Sequence, residues 1–446
     1  MARLSIGFAA LAALASCEQA SAPVAPPALA AAPAEPVLLP AEIADFYRAR
    51  GSRPLWVTRA GLRPEALTLA AAIAAAADHG LDPERYGAAD IARAVEAAKG
   101  GDPHALARAD LLLSRAFPAF VRDLRLPSAT DRITWVDDEL KPQAPEARAL
   151  LDAAAAAPSL ADHLAAATRM NPLYESLRRG HAQWRAKGGG TAAEEAQIRA
   201  NLERARAIPA DAPRYLIVDA GSARMWMVEK GRVEGPMRVI VGTPAMETPA
   251  MAGLIRYAAL NPYWNLPPDL ARERAKRVLR EGPAFLARER LEILSDWSDD
   301  ARVVTPASVD WRAVASGRRD LRMRQRPGRG NAMGEVKFML PNELGIYLHD
   351  YPDKSLFARA DRRISSGCVR LEDAPKLARW LFGGEVPKPK GPRPEQHVDL
   401  PEPVPVYITY LTALPDPKGR GIALRPDPYR RDRAMLARME KQAGRG

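Results

Sequence analysis

The hydrophobic periodicity of this chain changes at Pro213, and that change limits the folds open to it. Upstream, from Ala41 to about Ala207, Ala/Leu/Arg-rich stretches with helical apolar spacing alternate with Pro and Gly breaks. Pro64 to His79, Ala88 to Ala98 and His104 to Arg122 are expected as helices packed on one another, with no chemistry visible in them. Thr191 to Ala207 reads as a capped amphipathic helix that follows a Gly188-Gly189-Gly190 joint. Downstream the pattern becomes that of strands. Arg214 to Asp219 and Met225 to Val228 form a hairpin through Ala220-Gly221-Ser222. Met237 to Val241, Gly253 to Leu260, Val336 to Leu340, Gly345 to Asp350 and Val404 to Leu411 are further strands. Pro268 to Arg326 interrupts them with a charged, helical insertion. The expected fold class is therefore α+β. A helical scaffold over 41–207 precedes a mostly β domain over 212–432, a flap is inserted at 268–326, and a basic tail covers 433–446.

The first residues read as an export signal, from which a location outside the cytoplasm is expected. Arg3 and the apolar run from Ile6 to Ala15 have the make-up of a secretion signal over 1–17, too short to span a membrane as a stable helix. Leu14-Ala15-Ser16-Cys17 looks like a lipoprotein processing box, which would make Cys17 a lipidated residue and anchor a periplasmic protein in the membrane. Cleavage after Ala22 is the alternative. Glu18 to Pro40, rich in Ala and Pro, reads as an extended tether. The net charge of +11 is spread as arginine through helical segments without aromatic interleaving. That distribution suits a solvated basic face or an anionic substrate better than nucleic acid.

Two cysteines this far apart in sequence do not suggest a structural disulfide, and no Cys/His cluster has zinc-ligand spacing. Five of the six histidines read as surface or loop residues; the sixth, His349, ends the strand-like run Gly345 to Asp350. Nineteen positions later, Cys368 stands in Ser365-Ser366-Gly367-Cys368-Val369-Arg370. A lone thiol with a histidine elsewhere is the inventory of a thiol nucleophile and its base. Strand alternation puts Tyr347 and His349 on one face and Asp350 on the other, so the second imidazole nitrogen is expected on a backbone carbonyl rather than on Asp350's carboxylate. Gly367 permits a tight turn that aims the Cys368 N–H at a developing oxyanion. Arg370, two residues on, either binds a substrate carboxylate or sits in an internal salt bridge. Ser366 is as well suited to a turn hydrogen bond as to a substrate contact.

These residues resemble the signature of L,D-transpeptidases with a YkuD-like catalytic domain, in particular the larger YcbB-type Gram-negative branch. Val241-Gly242-Thr243-Pro244 with Thr248-Pro249, Asn261 to Pro268 and Asn331-Ala332-Met333-Gly334 are similar to that family's runs, and the likeness covers roughly 198–432. The resemblance implies that Cys368 attacks a peptidoglycan stem tetrapeptide. The resulting thioester is resolved by the third-residue amine of a second stem to give a 3→3 cross-link, with His349 as base and then acid. It also implies substrate contacts at Tyr347, Ser366, Arg370 and Trp264, carbapenem acylation of Cys368, a flap over the site, and a reaction with no metal and no cofactor. Other acceptors would make an L,D-carboxypeptidase or a protein-to-peptidoglycan ligase, and a different class is a non-catalytic wall-binding lipoprotein. Two departures stand out: His349-Asp350-Tyr351-Pro352 carries Tyr351 where the family commonly has threonine, and Ala182 to Ala196 is too short for a peptidoglycan-binding module.

Overall fold

A computed structural model describes residues 36–127, 133–385, 387–416, 418 and 421–443. The expected signal, Cys17 and most of the tether lie outside the described residues. No described helix is long and apolar enough to cross a membrane.

The helical region is built around Pro103–Arg125, which starts at an Asp102 side chain accepting from Ala105 N at 2.8 Å. Its Leu113, Phe117, Phe120 and Leu124 meet Trp56, Leu69, Ile73 and Tyr174 in one core. Burial on this scale is what holds helices of modest intrinsic stability in place. Asp110 is fully buried there, and its carboxylate accepts from Leu55 N at 2.9 Å, Trp56 N at 2.6 Å and the Tyr47 hydroxyl. The reading of five surface histidines fails at His181, which is fully buried with Nδ1 3.1 Å from Asp78 O, and at His79, half-buried 3.0 Å from Tyr174 OH. Both fill helix–helix joints, where a ring can pack and still pair its polar edge. Thr191 and Glu194 form a reciprocal capping box at the start of helix Ala192–Arg206.

The strands close on themselves. The wall comprises β1 (Thr134–Trp135), β2 (Arg214–Asp219), β3 (Arg224–Glu229), β4 (Arg232–Gly242), β5 (Met251–Leu260), β6 (Val336–Met339), β7 (Leu348–Asp350), β8 (Arg363–Ser365), β9 (Val369–Leu371) and β10 (Gln396–Thr409). Their order is β6–β7–β9–β4–β3–β2–β10–β5, and β5 pairs back onto β6, which completes a barrel. β8 pairs with β4 in parallel. Leu216, Val239, Phe338, Leu348, Val369 and Val406 fill the interior with Leu377 and Leu381 of helix Ala374–Phe382.

Three features were not expected. β1 comes from the helical half of the chain yet pairs in parallel with β5, and Asp137 fixes the junction by accepting from Leu254 N at 2.7 Å. The insertion is more than helical: Trp264–Asn265, Leu291–Leu294, Val303–Val304 and Met323–Gln325 form a sheet of their own under helix Pro268–Glu281. Phe285, Ile293, Val314 and Met323 give it a separate core. Finally, most of the expected basic tail is helix. Arg431–Ala443 buries Met435 against Ala200 because its apolar positions share one face. A groove of about 750 Å³ lies between the helical region and the barrel, lined by Arg125, Leu150 and Tyr407 and by none of the strands that carry Cys368 and His349.

Candidate active site

Cys368 and His349 belong to one parallel strand pair: Cys368 immediately precedes β9, and His349 is the central residue of β7. β7 and β9 run side by side with Leu348 opposite Val369 and His349 opposite Arg370, and Val369 N donates to Tyr347 O at 3.1 Å. Cys368 therefore flanks Tyr347, and strand alternation puts Tyr347, His349, Cys368 and Arg370 on one face while Leu348 and Val369 enter the core. On the other side, β6 sets Lys337 opposite His349. The imidazole thus stands in a row between two cations.

The expected alternation is borne out in its details. The Tyr347 and His349 rings are 5.6 Å apart. The Asp350 carboxylate turns away, accepting from Glu335 N at 3.1 Å and Lys354 Nζ at 2.7 Å. His349 Nδ1 instead lies 2.6 Å from the Asp350 carbonyl oxygen, so Nδ1 carries the proton and Nε2 keeps its lone pair. Burial, and then Arg370, press the imidazole down to about 3 from its ordinary value, which keeps it neutral. Burial also raises the Cys368 thiol, against the smaller opposing pull of Tyr347, Arg370 and Lys337. At rest, then, this face carries a neutral thiol and a neutral imidazole. Cys368 remains partly exposed, and its Sγ lies 3.5 Å from Gly345 O.

Gly367 has φ +110°, a conformation that L side chains rarely adopt. The hydroxyl that shapes this turn belongs to Ser365, not Ser366: Ser365 Oγ donates to Cys368 O at 2.7 Å and accepts from Gly367 N at 3.2 Å. Ser366 is exposed beside it. Two serines in a row gave no sequence signal to separate them; only the buried side of the turn does. Arg370 lies over the Tyr351 ring, 4.3 Å from its centroid, and its Nε is buried without a hydrogen-bond partner among the described residues. Tyr351, the departure from the usual threonine, thereby becomes the wall that holds the guanidinium flat. Trp264 belongs to the stem of the flap, paired with Gln325 and packed on the flap core.

Lys337 and Glu395 carry no sequence signal of a role. Lys337 Nζ contacts Glu395 Oε1 at 3.1 Å and lies 5.7 Å from the centre of the Tyr347 ring. Glu395 Oε1 also accepts from Tyr263 N at 2.8 Å, which ties the flap stem to the sheet. Among the described residues, no group of His, Cys, Asp and Glu is arranged to hold a metal.

Residues 213–406 match the L,D-transpeptidase catalytic domain family, and residues 41–180 match a scaffold domain family. A Haemophilus influenzae protein named "Putative L,D-transpeptidase" is 35% identical over 182 residues, which are 41% of this chain and 36% of that protein. The chain thus spans about a third of the length of that curated relative. Among solved structures, an L,D-transpeptidase from Mycobacterium smegmatis overlaps 44% of this chain and 58% of its own at 14% identity and a TM-score of 0.22. An Enterococcus faecium L,D-transpeptidase overlaps 45% and 52% at 13% identity and a TM-score of 0.21.

Proposed function

With an L,D-transpeptidase catalytic domain on residues 213–406, we propose that the protein is a periplasmic L,D-transpeptidase that forms 3→3 peptidoglycan cross-links through a thioester on Cys368. The observation that carries this reading is the shared face of Cys368, Tyr347, His349 and Arg370, with the imidazole's Nδ1 held and its Nε2 lone pair unspent.

In the first half-reaction the Cys368 side chain leaves Gly345 O, and His349 Nε2 takes the thiol proton as sulfur attacks the carbonyl of the donor stem's third residue. The Cys368 N–H stabilises the oxyanion. Collapse expels the terminal D-alanine amine, which takes the proton from His349, and leaves a thioester. In the second half-reaction His349 accepts a proton from the third-residue amine of another stem as that amine attacks, and the thiol is restored on release. Burial keeps His349 neutral at rest, the form in which a base accepts a proton. The buried, unpaired Arg370 Nε is suited to a donor carbonyl or carboxylate, and the Tyr351 ring fixes its plane. The flap, with its own core, would exclude water so that an amine competes for the thioester. Anchoring through Cys17 would keep the enzyme near the wall.

The test is a digest of sacculi from cells expressing the wild-type protein, Cys368→Ala and His349→Gln. Wild type should yield 3→3 dimers and both variants should not, with His349→Gln lowered by about 10²–10⁴-fold. Free tripeptides without dimers would show that water is the acceptor, and near-normal dimers from His349→Gln would remove its role as base.

A further inference from the structure

The turn that carries the nucleophile is held by residues far from it in sequence. Thr248 is fully buried between Gly242 and Gly367. Its hydroxyl donates to Gly367 O at 2.7 Å and accepts from Gly242 N at 2.8 Å. Thr243 N adds a bond to Ser365 O at 3.0 Å. Gly242 must be glycine for this approach, since a Cβ there would lie 2.0 Å from Met246 O and 2.6 Å from Thr248 N.

Gly367 O and the Cys368 N–H belong to one peptide unit. In a planar trans peptide the two point in opposite directions. A donor seated on Gly367 O therefore fixes the direction of the Cys368 N–H, the expected oxyanion donor. An interaction that never touches substrate sets the aim of the group that does.

The Thr248 loop is in turn held by residues 427–431. Tyr429 OH donates to Gly242 O at 2.6 Å. Arg431 donates to Glu247 Oε2 at 2.6 and 3.0 Å and to Thr248 O at 3.1 Å. Tyr429 stacks on Tyr410 with centroids 5.0 Å apart, and the Arg431 guanidinium lies over both rings. Asp427 organises the segment, accepting from Tyr410 OH at 2.6 Å, Arg431 N at 3.0 Å and Asp432 N at 2.8 Å. All of 427–431 lies beyond the 213–406 match.

We infer that Thr248 is a positioning residue for the Gly367–Cys368 peptide, and that Tyr429 and Arg431 are the clamp that holds Thr248 in place. The C-terminal segment thereby belongs to the working parts of the site. This rests on the reading of Cys368 as an acyl-transfer nucleophile.

The experiment compares Thr248→Val, Thr248→Ser and Tyr429→Phe with wild type in the full chain, by three measurements. These are release of D-alanine from a tetrapeptide donor, alkylation of the thiol by iodoacetamide, and Tm. Alkylation needs the sulfur but no oxyanion donor, so it separates aim from access. Thr248→Val should lower kcat for D-alanine release by at least about 10-fold, with KM and the alkylation rate within about two-fold, since misaiming a single oxyanion donor has such an effect. Thr248→Ser, which keeps the hydroxyl, should recover most of the loss. Tyr429→Phe should show the same split at smaller size, and it carries the test if Thr248→Val does not fold. Unchanged release in both Thr248→Val and Tyr429→Phe would overturn the inference. So would a parallel fall in release and alkylation, the mark of a merely loosened fold. Wild type that alkylates but releases no D-alanine would instead strike the transpeptidase reading beneath it.

Discussion

At the residue scale, the site is a neutral pair. A folded imidazole at about 3, against an ordinary 6.5, means that the unfolded chain binds a proton on His349 between these values while the folded chain does not. Its contribution to stability is therefore present above pH 6.5 and lost as pH falls toward 3, at about 1.4 kcal/mol per pH unit. Denaturant midpoints between pH 8 and pH 4 should fall more steeply for wild type than for His349→Gln; equal slopes would contradict this. Since the thiol is raised by burial, alkylation of Cys368 should climb with pH through pH 8. A plateau below pH 8 would reveal a thiolate–imidazolium pair instead. For Arg370→Ala, KM for the donor should rise by about 10-fold or more, the loss of one charge-assisted contact, while alkylation persists; steady-state kinetics on tetrapeptide decides it. Much of this was legible from alternation alone: Tyr347 beside His349, Asp350 turned away, a carbonyl on Nδ1. The contacts of Ser365, Lys337 and Thr248 were not: the motifs that contain them mark the residues, but no local pattern records partners across the fold.

At the scale of elements, the flap behaves as a small folded body on a two-strand stem. Its core residues Phe285, Val314 and Met323 share nothing with the barrel core, so damage there should stay local. Phe285→Ala should remove about 3–5 kcal/mol from the flap. Hydrogen exchange should then accelerate across 268–326 and leave β4, β5 and β9 protected; uniform acceleration would show one cooperative unit. The sequence marked this insertion by its charge and by helix Pro268–Glu281. It hid the flap's strands, since two- to four-residue segments are shorter than any periodicity can register. The long elements were the readable ones: Pro103–Arg125, Ala192–Arg206 and the β2–β3 hairpin lie where their apolar spacing put them.

At the scale of the whole molecule, the two halves are interlocked. β1 leaves the helical half to join the barrel wall. After β10 the chain returns the other way, so that Leu411, Ala413 and Leu414 enter the helical core and Arg431–Ala443 packs on Ala192–Arg206. Arg204 and Asp432 pair at 2.6 Å across this contact. A fragment spanning 208–410 loses β1, the Asp137 junction and the C-terminal clamp together. It should have a lower Tm than the full chain by thermal denaturation, or fail to fold. A fragment as stable as the whole would refute the interlock. These crossings were invisible beforehand because β1 is a dipeptide, and the returning segment was counted with the β domain up to 432 and as a basic tail over 433–446.

The late return of the chain has a consequence for biogenesis. A polypeptide made from its amino end possesses His349 and Cys368 well before it possesses Tyr429 and Arg431. Until those two residues are synthesised and docked, the oxygen of Gly367 keeps its donor only on an unbuttressed loop. On the inferred role of Thr248, nascent chains ending before Asp427 carry the sulfur without the scaffolding that aims its neighbouring amide.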